Sequence, residues 1–211
     1  MDIEANLKTY LHQRGPTTRY TSFDYCYNHF QLHRERGVIP ELGVGPNMQL
    51  SCLHLGFYLA SWGMLRASSA LLQRSVKHYV PVIQVIAASP SEVWNLDADC
   101  YTDANWGLVE ETARQIRGAL PDGASDILIT KIMLGVFGCV PAFDTYFKRG
   151  FGVWTFGRKA LMRVAQFYRE NANVIDRYRV PTLEFDTGVE TSRRYTRAKV
   201  IDMIFFVEGG E

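Results

Sequence analysis

Residues 120–147 read LPDGASDILITKIMLGVFGCVPAFDTYF, and this stretch decides how the rest of the chain is interpreted. A turn containing Pro121 and Gly123 leads into an almost wholly apolar segment, 127–138, which predicts a buried helix. A glycine and a proline then end that helix, and Asp144 stands at the start of the next one. The stretch therefore predicts two helices whose junction presents a carboxylate.

Helical patterns also dominate the sequence outside this stretch. Ser22 is expected to cap a helix that ends near Gly37, since Ser is a favoured cap and Gly a favoured stop. Residues 88–105 are rich in Ser, Asp, Asn and Pro and predict an irregular connection, whereas the β-branched run 80–88 leaves a strand open as an alternative to a helix. Further helices are predicted over 47–63, 106–120, 154–171 and 195–207. Without a repeat or linker, residues 1–211 predict one compact, all-α, multi-helix domain.

The composition is that of an ordinary globular protein. Of the 211 residues, 47% are apolar and 21% charged, which argues against disorder and against a coiled coil. The four cysteines lie far apart with no C-x-x-C pair, so we expect no disulfide scaffold, no metal and no cofactor. The acidic, polar N-terminus does not resemble a secretion signal, and the apolar stretch 50–72 carries His54 and Arg66. We therefore expect a cytoplasmic protein without membrane contact.

The net charge of +1 conceals an uneven distribution of charge. Residues 91–130 hold eight acidic residues against two arginines, and residues 141–200 hold twelve Lys and Arg against six acidic residues. These segments therefore sum to −6 and +6, and a positive face of this kind can bind a polyanion such as DNA. Solvated charge on the outer sides of helices is the alternative.

The order of parts in residues 120–147 resembles the helix-hairpin-helix DNA glycosylases. In that family a glycine-rich hairpin grips a DNA phosphate, and a helix of about this length leads to a Pro-x-Asp-Thr-like motif whose Asp is catalytic. The segment 141–145, PAFDT, resembles that motif with one residue inserted, and the interval from Gly123 to Asp144 fits the family's spacing. The resemblance implies an enzyme that flips a base out of DNA and hydrolyses its N-glycosidic bond, with Asp144 catalytic and Gly123 against the DNA backbone.

Two departures from the family pattern narrow this implication. The turn has one glycine where the family usually has two, and Ala124-Ser125-Asp126 stands where bifunctional members carry a nucleophilic lysine. The resemblance therefore implies a monofunctional hydrolase without lyase activity. Compact prokaryotic glycosylases of this general look include enzymes that attack modified bases in phage DNA, such as glucosylated hydroxymethylcytosine. This similarity extends the implied role to antiviral defence.

The chemistry of base excision gives Asp144 an independent reason for its position. Breaking the bond between base and sugar builds positive charge on the deoxyribose, and a fixed carboxylate stabilises that charge and orients the attacking water. A helix start suits such an anion because the helix dipole favours negative charge there. The alternative is that Asp144 only caps its helix, the commonest task of Asp at that position.

Four further residues are predicted to form the base pocket. Lys131 is the only charged residue in 127–138 and shares a helix face with Gly135 and Gly138, a face that could admit a substrate or merely a close neighbour. Its distance along the helix from the hairpin predicts that its amine does not reach the sugar. Flipped bases are held between flat side chains, and their edges are read by polar ones. The other predicted members of the base pocket are therefore Asp24, Tyr25 and Trp62. Core packing and a snorkelling lysine are the alternatives.

The hairpin glycine and four basic residues are predicted to contact the DNA backbone: Gly123, Lys148, Arg149, Arg193 and Arg194. DNA is then the expected partner, and no obligate protein partner is inferred. The alternative function is a non-catalytic all-α interaction module with opposed acidic and basic faces. A helical nuclease or toxin lacks support, because no paired carboxylate–Lys or Arg-x4-His arrangement is visible. A cleft shared by Asp144 and Lys131 would favour the enzyme.

Overall fold

A computed structural model describes residues 1–65, 70–120 and 123–210, without the side chain of residue 70. The described chain is mostly helical and carries one small sheet. Its α-helices are α1 (Ile3–His12), α2 (Ser22–Glu35), α3 (Gly45–Ser61), α4 (Val80–Ala87), α5 (Ser91–Trp94), α6 (Trp106–Gly118), α7 (Asp126–Phe137), α8 (Thr145–Phe151), α9 (Arg158–Arg177) and α10 (Arg197–Glu208). The strands are β1 (Pro181–Leu183) and β2 (Glu190–Arg194).

The predicted helical character is confirmed, with differences in detail. The β-branched run forms α4, so the strand alternative there is wrong, and the irregular connection contains only the single turn α5. A two-stranded antiparallel sheet, with Pro181 opposite Arg194 and Leu183 opposite Glu190, was not predicted. Its short strands carry little pattern of their own.

Ser22 does not cap α2 as predicted. It is the first residue of that helix, and its hydroxyl donates to the backbone oxygen of Arg19 in the preceding 3₁₀ turn. Thr21 is the residue before the helix, and its side chain makes no capping hydrogen bond. Because the chain is already turning at 19–21, the side-chain cap is not used here.

The helix pair around residues 120–147 forms as the sequence predicts. The Ser125 hydroxyl accepts the N–H of Leu128 and caps α7, and Gly138 ends that helix in the left-handed conformation at φ 68°. Gly123 lies in the turn between α6 and α7 with φ +73°, whereas Pro121 lies outside the described residues. Asp144 then caps α8. The chain therefore brings the end of α7 and the start of α8 to one place.

Helix α8 is held tightly against α10. A methyl group on Gly150 would lie 2.6 Å from the backbone oxygen of Phe205, and one on Gly209 would overlap the backbone of Tyr146. The rings of Phe147 and Phe151 pack on Phe205 in the core between the two helices. This close packing fixes the axis of α8 and with it the position of Asp144.

None of the helices in the described part of the chain combines the length and apolar character needed to span a bilayer. The apolar stretch 50–72 is divided instead between α3 and a short 3₁₀ turn, with residues 66–69 outside the described chain.

Candidate active site

Asp144 and Lys131 form an ion pair. One carboxylate oxygen, Oδ2, accepts the Lys131 Nζ at 2.9 Å, and the other, Oδ1, accepts the N–H of Phe147 at 3.0 Å. The side chains of Lys131 and Asp144 are 5% and 14% exposed, so the carboxylate lies at the edge of the core with a narrow opening to solvent. Lys131, predicted to belong to the base pocket, thus lies against Asp144, and the prediction that its amine does not reach the sugar stays a prediction. The loop after α7 folds Asp144 back onto the middle of that helix.

The space beside the glycines that share a face with Lys131 is filled by other side chains of the protein. A methyl group on Gly135 would overlap the ring of Tyr58, and one on Gly138 would lie 2.7 Å from the Thr196 methyl. The small-residue face of α7 therefore admits neighbouring side chains of this chain, and a substrate does not need that space.

A cluster of rings, here called the aromatic cluster, adjoins the ion pair. It contains Tyr10, Tyr20, Trp62, Tyr146 and Phe206, whose neighbouring ring centroids lie 4.8 to 6.5 Å apart. The Lys131 Nζ lies 5.6 Å from the centroid of Trp62. Tyr146 follows Asp144 by two residues and is 41% exposed. Trp62 is among the residues predicted to form the base pocket. Tyr146 is not, although it lies next to the predicted motif that contains Asp144.

A second ion pair supports the loop that carries Asp144. Asp202 on α10 accepts the N–H of Ala142 through Oδ1 at 3.0 Å, and its Oδ2 accepts the Lys199 Nζ at 2.9 Å. Thr130 accepts the next N–H of the loop, that of Phe143, at 2.9 Å. Two consecutive backbone donors are thus fixed by side chains from two helices, which holds the approach to Asp144 rigid.

Lys199 is 2% exposed and donates to both Asp202 and the hydroxyl of Tyr10. Burial alone would lower the pKa of Lys199, but the charge of Asp202 and the contact with Tyr10 raise it above its ordinary value. Burial also raises the pKa of Tyr10 to about 12. The sequence analysis did not identify this pair, whose local signal is two opposite charges three residues apart in a mainly apolar part of α10.

Asp24 does not have the predicted base-reading geometry. It is fully buried, and its Oδ2 accepts Arg14 Nη2 at 2.6 Å and the N–H of Leu183 at 2.8 Å. Its Oδ1 accepts the hydroxyl of Tyr195 at 2.5 Å. Burial raises the pKa of Asp24, and the guanidinium of Arg14 opposes that rise. The carboxylate therefore anchors β1 and the start of α10, and no part of it is open to a base.

Tyr25 lies outside the aromatic cluster. Its hydroxyl donates to the backbone oxygen of Pro16, and its ring meets the edge of Phe185 at 5.1 Å. The ring lines a groove of about 610 Å³ between α2 and α3, together with Arg19 and Phe57. Tyr25 and Trp62, predicted to share one pocket, thus line neighbouring surfaces.

Some of the residues predicted to bind the DNA backbone are exposed, and others are held by contacts within the protein. Lys148 and Arg149, in the last turn of α8, have no carboxylate partner among the described residues, and Gly123 is exposed. Arg194 is exposed and donates to the backbone oxygen of Arg179. The guanidinium of Arg193 is occupied by Glu35, at 2.6 Å, and by the side chain of Asn28, so its predicted contact with phosphate is not available without breaking those bonds.

The acidic and basic segments also meet each other. Arg158 pairs with Asp103 at 2.6 Å, and Arg197 pairs with Asp99 at 3.1 Å. The two segments are therefore joined at these points, and the basic surface that remains unpaired is narrower than the sequence count predicts. Part of it lies on α8, directly after Asp144.

Comparisons with protein families, with curated proteins and with solved structures find no match to this chain. The resemblance to helix-hairpin-helix glycosylases is therefore an expectation from the sequence of residues 120–147. Among the described residues, no group of three or more His, Cys, Asp or Glu side chains could hold a metal ion.

Proposed function

We propose that the protein is a monofunctional DNA glycosylase that hydrolyses the N-glycosidic bond of a flipped, modified base. The observation that carries this proposal is the Lys131–Asp144 ion pair, whose carboxylate is fixed by two donors and keeps a narrow opening beside the aromatic cluster. A phage-type modified cytosine, and hence a role in antiviral defence, is the substrate class suggested by the family resemblance.

The geometry of Asp144 suits the charge changes of this reaction. As the bond breaks, the base takes the bonding electrons and positive charge develops on the sugar. A carboxylate whose position is fixed beforehand stabilises that charge without reorganising during the reaction. The Lys131 amine and the backbone N–H of Phe147 in α8 fix the carboxylate in this way. Asp202 and Thr130 fix the loop that leads to it.

The aromatic cluster supplies flat surfaces beside the carboxylate. An extruded base loses its stacking in the duplex and regains it between aromatic side chains. Trp62 and Tyr146 are the members nearest to the ion pair by contact and by sequence. They are the residues we propose to hold the base, together with Lys131.

Water, and not Lys131, is the proposed nucleophile. An amine attacks a sugar carbon only when it is deprotonated and free to approach. Lys131 instead donates to Asp144 and lies over the Trp62 ring, and both contacts suit an ammonium. The proposed product is an intact strand with an abasic site.

The test is incubation with a panel of DNAs that carry different modified bases, followed by alkaline cleavage at abasic sites. Wild type should cleave at one class of modified base, and Asp144→Asn should lose at least about 100-fold in rate. Asp2→Asn is the matched control, because Asp2 caps α1 through the same contact, to the N–H three residues ahead at 3.0 Å. No cleavage of any modified DNA, or equal rates in the two variants, would refute the proposal.

A further inference from the structure

A groove of about 610 Å³ lies between α2 and α3, and the proposed reaction does not use it. It follows α3 from Leu50 to Ser61, a distance of about 16 Å at 1.5 Å per residue, and the loop 16–19 and Phe185 wall it. Its volume falls within the range of about 300 to 1,000 Å³ typical of small-molecule pockets. The groove is therefore large enough for a nucleotide.

The lining of the groove is apolar and aromatic, with one cation. Phe57 and Phe185 are each 69% exposed, which is unusual for residues of this size, and the Tyr25 ring stands between α2 and Phe185. Neither Asp nor Glu is found among the described lining residues. Arg19 is exposed and has no carboxylate partner in the part of the chain that the structure describes. Such a groove suits a ligand with a flat apolar part and a negative charge.

One end of the groove lies near Trp62 of the aromatic cluster. The Arg19 guanidinium carbon lies 5.5 Å from the centroid of Trp62, and the Lys131 Nζ lies 5.6 Å from the same ring. Ser61 lines the groove and directly precedes Trp62 in the chain. This end of the groove therefore lies beside the aromatic cluster.

We propose that this groove binds the unpaired nucleotide adjoining the one that is excised, an inference that rests on the proposed function. The base of that nucleotide stacks on Phe57 and Phe185, and its phosphate contacts Arg19. Base–aromatic stacking depends little on sequence because every base has a flat face. A base seated in the groove cannot pair with a complementary strand. The protein is therefore expected to prefer single-stranded or locally melted DNA over intact duplex.

The test uses a fluorescein-labelled, unmodified oligothymidylate and the duplex of the same sequence, with dissociation constants from fluorescence anisotropy. Phe57→Ala and Arg19→Ala should each bind the single strand about tenfold more weakly, and the duplex less than twofold more weakly. The controls are Val189→Ala, which truncates a side chain that is 61% exposed outside the groove, and Arg169→Ala, which removes an exposed cation from α9. Both controls should bind as wild type does.

Equal single-strand affinities in wild type and the groove variants would overturn the inference, as would tighter binding of the duplex by wild type. Failure of this inference is distinguishable from failure of the proposed function. If Asp144→Asn abolishes excision while the groove variants bind normally, only the groove assignment is wrong. If the groove variants weaken binding but wild type excises no base, the groove binds single-stranded DNA and the enzymatic assignment is wrong.

Discussion

Two lysine–aspartate pairs flank Trp62, and they differ in what encloses them. The Nζ atoms of Lys131 and Lys199 lie 5.6 and 5.4 Å from the Trp62 centroid, and each donates to an aspartate at 2.9 Å. We call Lys131–Asp144 the outer pair and Lys199–Asp202 the inner pair. The outer carboxylate is 14% exposed and caps a helix, whereas the inner one is 10% exposed and shares its lysine with a buried tyrosine.

On the proposed function, the two pairs use similar chemistry for different purposes in one core. The inner carboxylate holds a loop N–H, and its lysine has a second partner in the Tyr10 hydroxyl. The outer carboxylate is somewhat more exposed, 14% against 10%, and lies beside the partly exposed ring of Tyr146. Stability should depend mainly on the inner pair and activity on the outer one.

The largest expected effect on stability comes from breaking the inner pair. Lys199→Met or Asp202→Asn should lower the free energy of unfolding by about 3 to 5 kcal/mol, because each leaves an uncompensated buried charge. Lys131→Met should cost less, since the Asp144 carboxylate that it leaves unpaired is more exposed than that of Asp202. Urea denaturation measures the difference, and equal losses for the two pairs would contradict the distinction.

The second largest effect on stability is expected at alkaline pH, which should deprotonate the Tyr10 hydroxyl beside the inner pair. The pKa of Tyr10 rises from about 10 unfolded to about 12 folded, so the protonated hydroxyl contributes stability that is fully present below pH 10. That contribution is lost as the pH rises from 10 to 12, by about 2 to 3 kcal/mol. Tyr10→Phe has no proton to lose there, so its stability should fall less steeply over this window. Parallel pH curves for wild type and Tyr10→Phe would show that Tyr10 does not contribute in this way.

A smaller effect concerns the cations on the helix that Asp144 caps. If Lys148 and Arg149 contact phosphates, removing either should reduce the slope of log K against log salt by about one unit. Arg193→Ala should leave that slope unchanged, because its guanidinium is already held by Glu35. DNA binding that does not respond to salt in wild type would argue against a nucleic-acid surface around the outer pair.

The smallest effect concerns covalent trapping of Lys131, the lysine of the outer pair, for which we expect no signal. Borohydride treatment during turnover should yield no protein–DNA adduct, since Lys131 is paired and water is the proposed nucleophile. An adduct that disappears in Lys131→Ala but persists in Lys199→Ala would instead make Lys131 the nucleophile and the protein a lyase.

The parts of the fold that the sequence predicts are those with local signals. Helix α7 is an apolar run between a serine cap and a glycine stop, and Asp144 begins the next helix at the predicted position. The β1–β2 hairpin has a local turn signal at Gly188, which adopts φ 68°, but its place in the fold depends on distant contacts such as the bond from the Leu183 N–H to Asp24. A strand of three residues is too short to show an alternating pattern.

The candidate site was predictable in its residues more than in its contacts. Local pattern points to Asp144, Lys131 and Trp62, but it does not show that the loop after Gly138 reverses the chain and pairs Lys131 with Asp144. Asp24 is predicted to read a base because it stands among aromatic residues. Its actual partner, Tyr195, lies 171 residues away in sequence. Local pattern does not reveal that such a carboxylate is satisfied in the core.

The most direct test of the central claim is to measure, for Asp144→Asn, both the single-turnover rate of base excision and the melting temperature. Asparagine caps helices about as well as aspartate, so this change removes the charge and preserves the cap. We predict a rate at least about 100-fold below wild type and a loss of melting temperature smaller than that of Asp202→Asn, whose lysine partner is the more deeply buried. A variant that melts far below wild type, yet excises bases at the wild-type rate per folded molecule, would show that Asp144 is only a helix cap.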